Sequence, residues 1–408
     1  GENGALLRVL MSAPMSGEKG DDLVAMVVDP PAVEITEKFG YQQLIVTGIL
    51  ASGHSIDLTH KATYEITDEI VSVTGGMVKT RSDGKTQIRI THGDQSIEIP
   101  VAVSGREAVF EPSFIRDVSP VISKAGCNSG SCHGSKEGKN GFKLSLRGYD
   151  PIVDVRAFSD DHAARRVNFA SVENSLMLLK PTAAVPHEGG QRFEVGSAYY
   201  QILHDWIAAG CELDHQVPQV RSIELSPNNP LVQKIGEEQQ LRVTALYDDG
   251  SSRDVTAEAF ISSGDTEIAT CSASGLVSTL RRGEAPLLAR FEGAYSSTTL
   301  TVMGDRSDFS WQDPEIFNPI DDLVADKWKR MKLQSSELCS DAEFLRRVSL
   351  DLIGLPPTTE QVNSFLDDEA DRGVKRDALI DQLIGSEEYV VHWGNRWADL
   401  LQVNGKFL

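Results

Sequence analysis

The sequence predicts a multidomain chain of two all-β sandwiches, an all-α domain between them and a C-terminal all-α domain. Three observations predict it. A block of about twenty residues recurs later in the chain, the hydrophobic period changes from two to between three and four in the stretch separating the two copies, and everything after Gly304 has a helical texture. At 408 residues the chain is too long for one ordinary core. The expected division is an N-terminal segment at 1–29, a sandwich at 30–105, the middle domain at 106–216, a second sandwich at 217–304 and a helical domain at 305–408.

Charge narrows the function. The 39 Lys and Arg face 60 Asp and Glu, a formal net charge of −21. Such a surface disfavours phosphate backbones, so nucleic acid is not an expected partner. No stretch reaches the roughly 18–20 apolar residues of a membrane-spanning helix, and Gly1-Glu2-Asn3-Gly4 does not read as a signal peptide. Without an initiating Met, and ending on Gly405-Lys406-Phe407-Leu408, the sequence reads as a mature protein or a fragment, and a fragment is the favoured expectation.

The repeat pairs "LIVTGILASGHSIDLTHKATY" at 44–64 with "LRVTALYDDGSSRDVTAEAF" at 241–260, after which "DEIVSV" meets "TEIATC" and "GGMVKT" meets "SGLVST". Short runs rich in Val, Ile and Thr alternate apolar and polar, as in "QIRITHGDQSIEIPVAV" at 87–103, with Gly, Asp and Ser at the turns. That is the pattern of a small antiparallel sandwich. Both copies resemble the bacterial immunoglobulin-like group 2 family, the second more closely, because the first carries Ala51-Ser52-Gly53-His54 where the family prefers an acidic turn. The resemblance implies spacer or adhesive modules on an extracytoplasmic protein. His54, His60 and His92 are expected as exposed turn or strand residues.

In the middle segment, Phe114, Ile115, Val118, Val121 and Ile122 form one helical stripe leading into Cys127, and Tyr199, Ile202, Leu203, Trp206 and Ile207 form another that closes the segment. Between them lies "GCNSGSCHG", with four residues separating Cys127 from Cys132 and His133 directly after. Four chemistries use such a pair. Covalent haem attachment needs two thiols reaching vinyl groups and an adjacent imidazole for iron, although the usual spacing is two residues. A disulfide would close a small loop. A zinc site would need further ligands such as Cys211 and His204, at a spacing that fits no common finger. A thioredoxin-like pair would want two intervening residues at a strand-to-helix turn.

The segment 110–212 resembles the planctomycete cytochrome c family, on "GCNSGSCHG" and "LHDWIAAG". The resemblance implies an all-α cytochrome c-like haem domain carrying one covalent haem c, with Cys127 and Cys132 as anchors and His133 as proximal metal ligand. Where the family has Met-Pro the sequence reads Val185-Pro186-His187, so His187 is the expected distal ligand and the iron would be bis-His and low-spin. Met177, among leucines, and His162 are rivals for that place, and His204 is expected to stabilise the fold. "GFKLSLRGYDP" at 141–151 reads as a short strand or arm, with Lys143 or Arg147 available to a propionate.

The tail shows local helix signals: Asn318-Pro319 as a start, a capping box from Ser340 to Glu343, a break at Leu355-Pro356-Pro357 and a restart at Thr358 or Thr359. "RRVSLDLIGLPPT" and "YVVHWGNRWADLL" resemble the helical domain of unknown function that follows planctomycete cytochromes. Asp351, Asp381, Glu387, His392 and Asp399 are expected as solvated faces or caps and Trp393 and Trp397 as core; Cys211, Cys271 and Cys339 are expected as buried free thiols.

The resulting expectation is an extracytoplasmic c-type cytochrome, periplasmic or cell-surface, serving electron transfer to an unidentified redox partner rather than catalysing in its own right. Two alternatives stand beside it: a cell-surface or polysaccharide-associated scaffold in which the sandwiches carry function, and the electron-donating part of a larger redox enzyme.

Overall fold

The computed structural model describes residues 22–403 apart from 215, 305, 307 and 308, so positions 1–21 of the expected N-terminal segment lie outside the described residues. The chain forms two compact units that divide after residue 308.

In the first unit the alternating runs become strands. The first copy comprises β1 (Leu23–Asp29), β2 (Val33–Ile35), β3 (Tyr41–Gln43), β4 (Ile45–Leu50), β5 (Ser55–Asp57), β6 (Thr63–Ile66), β7 (Val71–Thr74), β8 (Met77–Thr80), β9 (Gly84–His92) and β10 (Gln95–Val103). They pair as β1-β4-β5, β2-β10-β9-β6 and β3-β8-β7, with β2 parallel to β10 and the other pairs antiparallel. The second copy repeats the order with β11 (Val220–Ser226), β12 (Leu231–Val232), β13 (Glu238–Gln240), β14 (Arg242–Tyr247), β15 (Ser252–Asp254), β16 (Phe260–Ser263), β17 (Ala269–Cys271), β18 (Leu276–Thr279), β19 (Gly283–Phe291) and β20 (Ala294–Val302). Alternation puts Ile88, Ile90, Ile99 and Val101 into one core and Leu287, Ala289, Leu300 and Val302 into the other.

The two copies are locked together by a reciprocal clasp. The backbone N–H of Gln43 donates to Asp254 Oδ2 at 2.6 Å and the Gln42 side chain donates to the same oxygen at 2.9 Å. In mirror fashion Gln240 N–H donates to Asp57 Oδ2 at 2.6 Å and the Gln239 side chain at 2.7 Å. The free oxygen of each carboxylate accepts from its own module, Asp57 from Thr59 N–H and Asp254 from Thr256. His60 pairs with Gln240 Oε1 at 2.9 Å, Tyr41 donates its hydroxyl to Glu258, and Arg242 meets Asp29 at 2.7 Å. His60 and His54 are exposed, as expected, and His92 is half-buried.

The middle segment docks on both copies. Arg116 pairs with Glu37 of the first at 2.7 Å, and Arg253 of the second donates to the Arg116 carbonyl at 3.0 Å. Lys124 donates to the carbonyls of Ala259 and Ala273 at 2.7 and 2.8 Å. Its two stripes form as helices, Phe114–Val118 running on into Ser119–Lys124, and Ala198–Ala208 closing the segment. Phe114 and Trp206 meet with ring centroids 5.1 Å apart.

The expected fold class is corrected here: this segment is not an all-α cytochrome c-like domain. Apart from the run of Phe114–Val118 into Ser119–Lys124, only the helices Pro151–Ser159 and Ala198–Ala208 reach eight residues, and turns and coil make up most of the rest. Glycine is the physical reason. Gly126, Gly138 and Gly141 take positive φ, and a Cβ on Gly134 would meet the Asn128 carbonyl oxygen at 2.0 Å, so the backbone here folds into successive tight turns. The arm at 141–151 is also shorter than expected, a single bridge between Lys139 and Phe142 followed by a helical turn at Leu146–Gly148.

The second unit contains the helices Pro319–Arg330, Asp341–Ile353, Thr359–Leu366, Arg372–Ile384 and Glu387–Leu400. Asn318, Ser340 and Thr358 each close a capping box. Asp341 anchors Arg376 at 2.7 Å and Lys375 at 2.9 Å. Trp397 departs from expectation: it is 56% exposed rather than core. No helix among the described residues is long and apolar enough to cross a membrane.

Candidate functional site

The turns of the middle segment and its flanking helices enclose a cavity of about 580 Å³, within the usual range for a small-molecule site. All four residues singled out from the sequence, Cys127, Cys132, His133 and His187, line it, as do Met177 and His162. Met177 is buried, as expected, and His162 is exposed at the rim. His204 stays outside the cavity lining, beside Asp205 at 3.1 Å and stacked on Tyr200, in the structural place expected of it. Lys143 and Arg147 are likewise not among the lining residues.

Local geometry orients both imidazoles. His133 Nδ1 lies 3.0 Å from the Phe142 carbonyl oxygen and His187 Nδ1 lies 2.8 Å from that of Gly190. Nδ1–H donates a hydrogen bond to the carbonyl in each case, which leaves Nε2 as the acceptor nitrogen of the neutral ring. The second contact depends on Gly190 at φ 69° and on Gly189, where a Cβ would meet the His187 ring at 2.9 Å.

Burial lowers the His133 pKa, with further depression from the charges of Arg166 and Lys139 and from His187, so this imidazole is neutral at pH 7. Burial also pushes the Cys127 thiol up to about 11, against the pull of Arg192. Both cysteines are free thiols, and Cys127 is therefore protonated and a poor nucleophile at neutral pH. Cys211, Cys271 and Cys339 are free as well, but only Cys211 is buried as expected, and Cys271 and Cys339 are half-buried.

Sequence reading missed the cations. Lys139, Arg165, Arg166, Lys180 and Arg192 all line the cavity against one carboxylate, Glu188. Arg166 is buried, donates to the carbonyls of Ala157, Asp161 and Gly141, and lies 4.4 Å over the Phe142 ring. These residues come from three separate loops, and no spacing rule joins them. The clasp was missed for a simpler reason: Gln42-Gln43 and Gln239-Gln240 sit immediately before the repeated block that begins at Leu44 and Leu241.

Among the described residues no group of three or more His, Cys, Asp or Glu is placed to hold a metal ion. Asp351, Asp381, Glu387, His392 and Asp399 therefore form no such cluster.

Residues 319–406 match the family model PSCyt2, described as a protein of unknown function (DUF1549). Ice-binding protein 1 of Shewanella frigidimarina (strain NCIMB 400) is 26% identical over 250 residues, 61% of this chain but 25% of that protein, so the chain spans about a quarter of the curated relative's length. Domains 5–6 of the S-layer protein SbsC align over 70% of this chain and all of theirs with 12% identity and a TM-score of 0.28. Domains 4–9 of the same protein align over 71% of this chain and 33% of theirs, with the same identity and score. The family model and the ice-binding relative correct the expected cytochrome c resemblance and the function drawn from it. A cytochrome c family, a haem c cofactor, bis-His iron and electron transfer give way to a relative named for ice binding and to a family model of unknown function.

Proposed function

We propose that this chain is an extracellular or cell-surface binding and scaffold protein in which the two sandwiches carry the function and hold the middle segment between them. The reciprocal clasp carries the reading. Two small modules joined only through a linker would move independently, whereas Asp57 and Asp254 each bridge their own module to the other. A spacer or display platform needs such rigidity. The relative matched over 250 residues is, by name, a binding protein.

A surface polysaccharide is the partner this reading favours, and the copies differ where one would bind. Phe260 of β16 pairs with Arg290 of β19, which pairs with Tyr295 of β20, so three side chains form a row on one sheet face. Phe260 and Tyr295 are exposed, and the Arg290 guanidinium lies 4.6 Å over the Phe260 ring. The first copy carries Thr63, Thr91 and Ser96 in the same register. Aromatic rings stack on the apolar faces of sugars while a guanidinium donates to hydroxyls, a combination the hydroxyl row lacks.

Cys127, Cys132, His133 and His187 enter the proposal as walls of a ligand pocket, and the division at 30–105, 106–216, 217–304 and 305–408 as its domain plan. The test is co-sedimentation with insoluble polysaccharides and washed cell envelopes. The wild type is expected to pellet, and Phe260→Ala with Tyr295→Ala to weaken retention about tenfold or more. A protein that stays in every supernatant would overturn the reading.

A further inference from the structure

We infer that the cavity binds an amphipathic organic anion, an apolar body carrying a carboxylate or phosphate headgroup. The inference rests on reading the cavity as a ligand pocket and adds the class of ligand.

The walls are divided by chemistry. Ile122, Phe142, Phe158, Met177, Phe193 and Leu203 supply an apolar interior. Five cations and one carboxylate supply the polar side, in a chain whose formal net charge is −21. Gathering like charges is unfavourable unless something compensates it, and in so acidic a chain carboxylates are abundant. Yet among the described residues Lys139, Arg165 and Arg192 form no ion pair.

Arg192 is placed to receive the headgroup. A Cβ on Gly189 would lie 3.1 Å from its Nη2, and one on Gly126 would lie 3.9 Å from its Nη1. The guanidinium thus spans the wall before Cys127 and the wall after His187. Its field reaches inside, since it draws the buried Cys127 thiol downward, while Arg166 and Lys139 do the same to His133. Arg166, fixed by three carbonyls, adds positive potential without moving. An anion over an apolar body satisfies both halves, and a neutral or cationic amphiphile satisfies one.

The experiment uses Nile red, an uncharged dye, to report the cavity, and four competitors: oleate, dodecyl phosphate, dodecanol and dodecyltrimethylammonium. Protection of Cys132 from alkylation locates the binding. Oleate and dodecyl phosphate are expected to displace the dye and shield Cys132, and the relative strength of the two separates carboxylate from phosphate. Arg165→Glu with Arg192→Glu, both at exposed positions, should weaken the anions about tenfold or more and leave dodecanol within about twofold. If Nile red does not bind, the pocket reading falls and the inference with it. If the dye binds but dodecanol competes as well as oleate, the charge reversal changes nothing, or Cys132 stays reactive, the pocket stands and the anion class is overturned.

Discussion

Glu292 shows how far a single side chain departs from its behaviour in water. It sits at the turn between β19 and β20, with one carboxylate oxygen buried and without a hydrogen-bond partner, and burial pushes its pKa up to about 8. Arg253 and Arg116 pull it down, and Asp117 raises it further. Asp254, inside the clasp, is pushed up to about 6, again chiefly by burial. Both groups bind a proton in the folded state over a pH range where the unfolded chain has released it. Unfolding then loses a proton, so the stability each contributes is fully present below the ordinary carboxylate value and declines as pH rises through the folded one. For Glu292 that window runs from its ordinary value to about 8. Glu292→Gln keeps the shape and removes the titration. The wild-type midpoint of thermal unfolding should therefore fall relative to this variant between pH 5 and pH 8.5, and a constant difference across that range would contradict the account.

At the scale of elements, local chemistry and distant chemistry differ in how much the sequence reveals. The capping boxes at Asn318, Ser340 and Thr358 are legible because cap and partner lie three residues apart. The strands are legible because alternation needs only its own run of residues. The turns at 126–141 defeat a helical reading, because glycines free the backbone without saying which way it goes, and the exposed Trp397 shows that a helical stripe does not name what covers it. The stripe of the Ala198–Ala208 helix does bury Ile202, Leu203, Trp206 and Ile207. Trp206 packs between Phe114 and Phe158 and donates its indole N–H to the Glu212 carbonyl at 2.9 Å. Trp206→Ala should cost about 3–5 kcal/mol in denaturant titration, and a loss below about 1 kcal/mol would show that the helix is held by something other than this stripe.

For the first unit as a whole, the main question is whether two repeated modules behave as one cooperative body. Sequence comparison finds the repeat but not the clasp, since each contact joins residues about two hundred positions apart and the glutamines fall just outside the repeated block. Four contacts to two carboxylate oxygens join the modules, two of them from backbone N–H groups. Removing Asp254 strands the buried Gln43 N–H, at a cost of about 1–3 kcal/mol, and removing Asp57 strands the partly buried Gln240 N–H at a smaller cost. Both substitutions together leave Arg242 on Asp29, Tyr41 on Glu258, His60 on Gln240, Arg253 near Glu37 and the docked Arg116 and Lys124 among the links between modules. These contacts are partly exposed, as are three of the four hydrogen bonds of the clasp, and the clasp is set apart by two backbone N–H groups held on carboxylates, the stronger charge-assisted kind of bond. Calorimetry of the wild type should accordingly show residues 23–302 melting in one transition, and Asp57→Ala with Asp254→Ala should split it into two at lower temperature. If the double variant still melts in a single step at the wild-type midpoint, the modules are coupled through the middle segment and not through each other.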